Sequence, residues 1–177
     1  TDALSLGINA AYTKARVKND FEATTIPQGA FDVVLNTGLA GDRMPYVPTL
    51  SWAANAEYAF MTAQGLSGQV GGVLRFTGER LSDTTERQRV TAPGDPSTVL
   101  QEEVTAPLRL DSYRALDLYA GIGRERWELR AYVSNVTGEG GYSSMTPAAG
   151  ALSGTLAYLA AVPIQPRTFG VELDVRF

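Results

Sequence analysis

Few residues of this 177-residue chain are of a type that does chemistry. Glu102 with Glu103 and Glu125 with Glu128 are neighbouring carboxylates, the raw material of general acid–base catalysis. Such pairs work only in a cleft and at a set separation, and nothing around either pair supplies one. Gly121-Ile122-Gly123 opens a dinucleotide-type glycine pattern but lacks the third glycine and the helix that should follow. The segment from Arg80 to Arg109 also carries Arg87 and Arg89. Arginine is a permanently charged, forked donor suited to anionic oxygens. There is no histidine and no cysteine. That removes Ser-His-Asp and Cys-His catalysis, disulfides, and histidine- or thiolate-ligated metals. No catalytic residue, cofactor or metal is expected, and the reading is of a protein that is not an enzyme. A net charge of −4 argues against nucleic acid as a partner.

The elements that must position these residues are strands. Alternation of apolar and polar residues recurs in six stretches: Leu4 to Tyr12, Leu50 to Phe60, Val70 to Thr77, Leu116 to Ile122, Trp127 to Ser134, and Arg167 to Phe177. In the last, Phe169, Val171, Leu173, Val175 and Phe177 fall on one face, and Thr168, Gly170, Glu172, Asp174 and Arg176 on the other. No 3.6-residue periodicity competes. No apolar run is long enough for a membrane-crossing helix; the longest, Leu156 to Ile164, is about half the required length. Alternation begins just after Thr1-Asp2-Ala3, so the expectation is a fragment whose N-terminal part is missing, with Phe177 a true terminus.

The connections alternate long and short. Residues 18–49, 81–112 and 138–166 are long; residues 61–69 and 123–126 are short. Structureless loops of about 25 residues are rare in soluble domains. Long loops at one end and short turns at the other are the habit of transmembrane β-barrels. Tyr58, Phe60, Trp127 and Phe177 all fall at the short-turn end, where an aromatic membrane-interface girdle would sit, and Tyr12 and Trp52 fall nearer the other end. Pro45 and Pro48 belong to a strand entry, since proline cannot donate to a ladder. Six strands spaced about 4.8 Å apart and tilted about 40° would close at a diameter of only about 12 Å. That lumen cannot hold Glu57, Arg75, Tyr119, Arg130 and Glu172. The fold expectation is therefore all-β: an antiparallel transmembrane barrel segment of about six consecutive strands, residues 1–177, belonging to a larger barrel.

Three motifs, in order, carry a resemblance. They are Gly41-Asp42-Arg43-Met44-Pro45-Tyr46-Val47-Pro48 before the second strand; Tyr113 to Leu118 followed by Trp127 to Thr137; and Pro166-Arg167-Thr168-Phe169-Gly170-Val171 closing on Phe177. Together they resemble the C-terminal part of a TonB-dependent outer-membrane receptor. Gly138 departs from the acid often found after the Asn-x-Thr turn. The resemblance implies a 22-stranded barrel, of which these are the last strands, in the bacterial outer membrane, filled by an N-terminal plug that this chain lacks and through which alone TonB is contacted. It implies energised uptake of a scarce large substrate, a ferric siderophore first among them. This chain would supply wall, extracellular loops and assembly signal. Its partners would be outer-membrane lipid and lipopolysaccharide, the assembly machinery and the substrate. Asn135-Val136-Thr137 also fits a glycosylation sequon, which means little in such a setting.

Within that frame Val171, Leu173, Val175 and Phe177 read as the signal for outer-membrane assembly, an edge strand able to pair by strand addition. Arg87 and Arg89 become candidate contacts for a catecholate chelate or a lipopolysaccharide phosphate. Tyr142 and Tyr158 lie in an apolar connection that is either a ligand lid, a continuation of the strands or a segment folded into the barrel mouth. Two rivals stay open. One is a complete small outer-membrane barrel, structural or adhesive, with an uncounted strand pair near residues 31–39. The other is a soluble carbohydrate-binding β-sandwich using Trp52, Trp127 and the tyrosines as stacking platforms.

Overall fold

A computed structural model describes residues 3–149 and 156–177. The described chain is all-β and antiparallel. Its strands are β1 (Leu4–Tyr12), β2 (Thr24–Pro27), β3 (Asp32–Thr37), β4 (Leu50–Met61), β5 (Ser67–Thr77), β6 (Arg80–Leu81) and β7 (Glu86–Ala92). There follow β8 (Asp95–Thr105), β9 (Arg109–Leu110), β10 (Tyr113–Arg124), β11 (Trp127–Ser134), β12 (Tyr142–Ala149), β13 (Leu156–Pro163) and β14 (Thr168–Val175).

The six alternating stretches are β1, β4, β5, β10, β11 and β14, and they form one sheet in that order. Each strand pairs with the next along the chain, so the sheet is a meander. Its three long connections leave from one end and its two short ones from the other. At the short end Gly65, with φ 71°, closes the turn in which its N–H bonds Thr62 O at 2.9 Å. Among the described residues β1 and β14 are open edges, and the sheet does not close.

The long connections are not structureless: this corrects the sequence expectation for the first two, while for residues 138–166 it agrees with one of the readings left open, a continuation of the strands. Each continues the hairpin from which it leaves. Beyond β1–β4 the chains meet again at an Arg16–Arg43 bridge and then at β2–β3. Beyond β5–β10 they pair as β6–β9 and then β7–β8. Beyond β11–β14 they pair as β12–β13. β3 also pairs with β7, so the first two connections share a four-stranded sheet, β2-β3-β7-β8. The pair near residues 31–39 thus exists in part, as β2 and β3, but belongs to this second sheet and adds no strand to the first. Periodicity missed β3 because it is short and partly covered on both faces, which erases a clean alternation.

The core sits in the connections. The buried apolar residues are Val17, Val34 and Leu110, and the buried polar ones Asp32, Asn36, Arg80, Ser82, Thr84, Thr91 and Asn135. Within the six-stranded sheet only Gly68, Gly121 and Gly123 are buried. Among the described residues no second layer packs on it.

Candidate functional site

Directly opposed residues of an antiparallel pair share a face, so the registers sort the whole sheet. One face carries Leu4, Leu6, Ile8, Ala10 and Tyr12 beside Tyr58, Ala56, Ala54, Trp52 and Leu50. It continues through Val70, Leu74 and Phe76, then Leu116, Leu118, Ala120 and Ile122, then Trp127, Leu129, Ala131 and Val133, and ends on Val175, Leu173, Val171 and Phe169. No acid or lysine falls on it. Its only charges are Arg114 and Arg124, at opposite ends of β10. These side chains are uncovered: Ile8 is 75% exposed and Val171 71%. A soluble sandwich would have to bury this face under a second sheet.

The opposite face collects the charges expected to share it. Tyr119 donates its hydroxyl to Glu57, and the Arg130 guanidinium lies 5.4 Å from the Tyr119 ring centre. Gln69 Nε2 donates to Glu128 Oε1 at 2.8 Å, and Arg130 pairs with the same oxygen at 3.4 Å. Arg75 pairs with Asp117. Glu172 stands opposite Arg130 in register. Tyrosine rings lie over neighbouring glycines: a Cβ on Gly170 would come within 2.2 Å of the Tyr132 ring. Glycine is needed there for space, so that the rings can lie flat along the sheet.

Aromatic residues mark both ends of the apolar face. Tyr58 and Phe60 stack at 6.0 Å at the short-turn end, with Trp127 opposite Val175 at the same end. Phe177 lies just past β14, fully exposed. At the other end Trp52 and Phe76 stack at 5.8 Å, joined by Tyr12 and Phe169. Trp52 and Phe60 are about 27 Å apart along the strand, about 21 Å along a barrel axis at 40° tilt, against an apolar band about 25 Å tall.

Above the sheet the connections are held by polar contacts, some of them buried. Asp42 accepts from the amides of Leu39 and Thr85 and from Thr85 Oγ1, each at 2.9 Å. Burial alone would raise its pKa, but these bonds outweigh burial and hold the carboxyl below its usual value. Asp95, beside the β7–β8 hairpin tip, accepts from Ser97 Oγ and Thr98 Oγ1, with a further bond from Ser97 N–H, and is lowered to about 2. Arg80, 6% exposed, is a buried cation that pairs with no acid among the described residues. Its Nη2 donates to Tyr142 O at 2.9 Å and its guanidinium lies 5.3 Å from the Tyr113 ring centre. It ties the second connection to the third. Asn135, at φ 49°, donates to Glu139 O and Gln165 O at 3.0 Å each, while its own amide binds Asp117. The sequon match is thus a buried corner where β11 leaves the sheet.

The sequence-predicted ligand residues are scattered over this assembly. Arg87 and Arg89 share the covered face of the four-stranded sheet with Val34 and Asn36. Arg87 Nε lies 3.4 Å from Glu102 Oε1, and Arg89 Nη2 donates to Asn36 Oδ1 at 3.2 Å. Tyr142 begins β12 and is half exposed. The backbone of Tyr158 lies in β13 opposite Ala148; the part of the lid expectation that rests on its side chain, and on residues 150–155, lies outside the described residues. Sequence reasoning read Arg80 only as one of the loop arginines and Asn135 and Asp42 only as parts of motifs; the roles of Arg80 and Asn135 depend on contacts across about 60 and 30 residues. Comparison with protein-family models, with curated proteins and with solved structures finds no match to this chain.

Proposed function

We propose that this chain is a section of the wall of an outer-membrane β-barrel receptor of the TonB-dependent kind, with its long connections outside the cell. The observation that carries the reading is the apolar face: it runs across all six strands, is uncovered, and is free of charge between its two aromatic ends. Water penalises such a face and hydrocarbon does not. The charged opposite face suits a wide, wet interior. The open edges of β1 and β14 need further strands, because lipid leaves no unpaired backbone group satisfied. This favours a larger barrel over a small complete one.

The receptor carries a scarce anionic chelate, a ferric siderophore, into the cell with energy supplied through a plug outside this chain. Val171, Leu173, Val175 and Phe177 form its assembly signal, and the folded connections form its ligand-facing mouth, where Tyr142 is half exposed and where Arg87 and Arg89 would have to turn away from Glu102 and Asn36 to reach a chelate. The test is binding of ferric siderophores to the receptor in outer-membrane vesicles. Arg87→Ala with Arg89→Ala weakens binding if these arginines hold the chelate. Unchanged affinity removes them from the mouth and leaves the wall reading standing. Recovery of the protein in the soluble fraction would defeat the wall reading itself.

A further inference from the structure

The charges on the apolar face are two arginines on one strand. Arg114 and Arg124 lie ten residues apart on β10, about 34 Å along the strand and about 26 Å along a barrel axis tilted by about 40°. The apolar band of an outer-membrane barrel is about 25 Å tall, so the two cations bracket it. Each stands opposite an aromatic residue, Arg114 opposite Phe76 and Arg124 opposite Trp127. Neither guanidinium joins an ion pair among the described residues. At the short-turn rim Arg124, Glu125, Arg126 and Trp127 of one turn and Met61, Gly65 and Ser67 of the other line an open recess of about 690 Å³. Glu125 at the turn tip offsets one of the two positive charges and leaves the other. Arg124 Nη2 donates to Gln64 O at 2.6 Å, which holds the side chain at the rim and leaves most of its five donors free.

We propose that this recess is a binding site for the phosphate of a glycerophospholipid of the inner leaflet. Arg124 and Arg126 hold the phosphate, and Trp127 packs at the level of the glycerol. The proposal rests on the barrel reading, which puts the short turns at the inner leaflet. Charge complementarity selects the occupant: a cation at the edge of a lipid-facing surface, beside an indole, meets headgroup phosphates before any other anion.

The test is native mass spectrometry of the full protein released from mild detergent, titrated with dioleoylphosphatidylglycerol. The wild type retains this lipid and does not retain dioleoylglycerol, which lacks the phosphate. Arg124→Gln with Arg126→Gln lowers the affinity about a hundredfold, about tenfold for each charge-assisted pair lost, and Arg124→Lys keeps most of it. Equal retention by the double variant, or equal retention of dioleoylglycerol by the wild type, overturns the proposal. Displacement by inorganic phosphate at matching concentration also overturns it, by showing a free-anion site. Failure of the barrel reading looks different, because the protein would then stay soluble without detergent.

Discussion

The six-stranded sheet and the assembly built from the long connections place their apolar side chains in opposite ways. In the sheet Leu6, Ile8, Phe169 and Val171 point out and stay uncovered, and only glycines are buried. In the assembly Val17, Val34 and Leu110 are buried among polar and charged groups, Asp32, Asn36 and Arg80 among them. One chain therefore carries two solvent rules. Where the surroundings are hydrocarbon, apolar surface needs no cover; where they are water, even a small domain must build a core. On the proposed wall reading the boundary between the two media falls at the aromatic ends of the sheet, near Trp52 and Phe76.

The comparison is broken most severely by removing the core that only one region has. Leu110→Ala leaves a cavity and costs about 2–5 kcal/mol. Hydrogen exchange is expected to show lost protection in β6, β7 and β9, with β11 and β14 unchanged. Next in size is a charge on the uncovered face. Ala120→Arg, near mid-height on β10, costs about 2–4 kcal/mol in a bilayer. Val73→Lys, on the polar face opposite Asn55 and Asp117, costs under about 1 kcal/mol. Urea midpoints of refolding into vesicles compare the two. Asp42→Asn sharpens the assembly side: an amide cannot accept all three bonds, and the loss is about 1 kcal/mol for this partly buried group. It is read as faster exchange at the Leu39 and Thr85 amides.

The smallest effect is a pH dependence confined to the connections. The folded pKa values of Asp42 and Asp95 lie below the ordinary 3.8. Their contribution is complete above 3.8 and is lost as pH falls through the folded values, which for Asp95 means down to about 2. Protection of the Leu39 and Thr85 amides should hold from pH 7 to pH 5 and decline only in the acid window below 3.8.

The sheet was legible in the sequence because its two faces differ in character, one apolar and one polar. That contrast writes a period-2 pattern into Leu50 to Phe60 and Trp127 to Ser134 without help from any distant residue. The alternation of long and short connections gave the meander and its polarity. The folded connections were not legible for the converse reason. β3 buries Val34 and Asn36 on one face and half-covers Val33 and Leu35 on the other, so burial and residue type fall out of step. Arg87 and Arg89 read as free loop charges, yet β7 turns them onto the covered face. Arg80 and Asn135 act through partners far along the chain, and no local pattern announces them.

The account stands on one face of one sheet meeting lipid. The chain has no cysteine, so single-cysteine variants along β10 and β11 can be spin-labelled without background in the protein reconstituted in bilayers. Accessibility to oxygen, which concentrates in hydrocarbon, is then compared with accessibility to a water-soluble nickel chelate. The account predicts strict alternation: labels at Leu116, Leu118, Ala120, Leu129 and Ala131 reached by oxygen, and labels at Asp117, Tyr119, Arg130 and Tyr132 reached by the chelate. Equal access of the chelate to both sets, in a protein that stays folded, would contradict it.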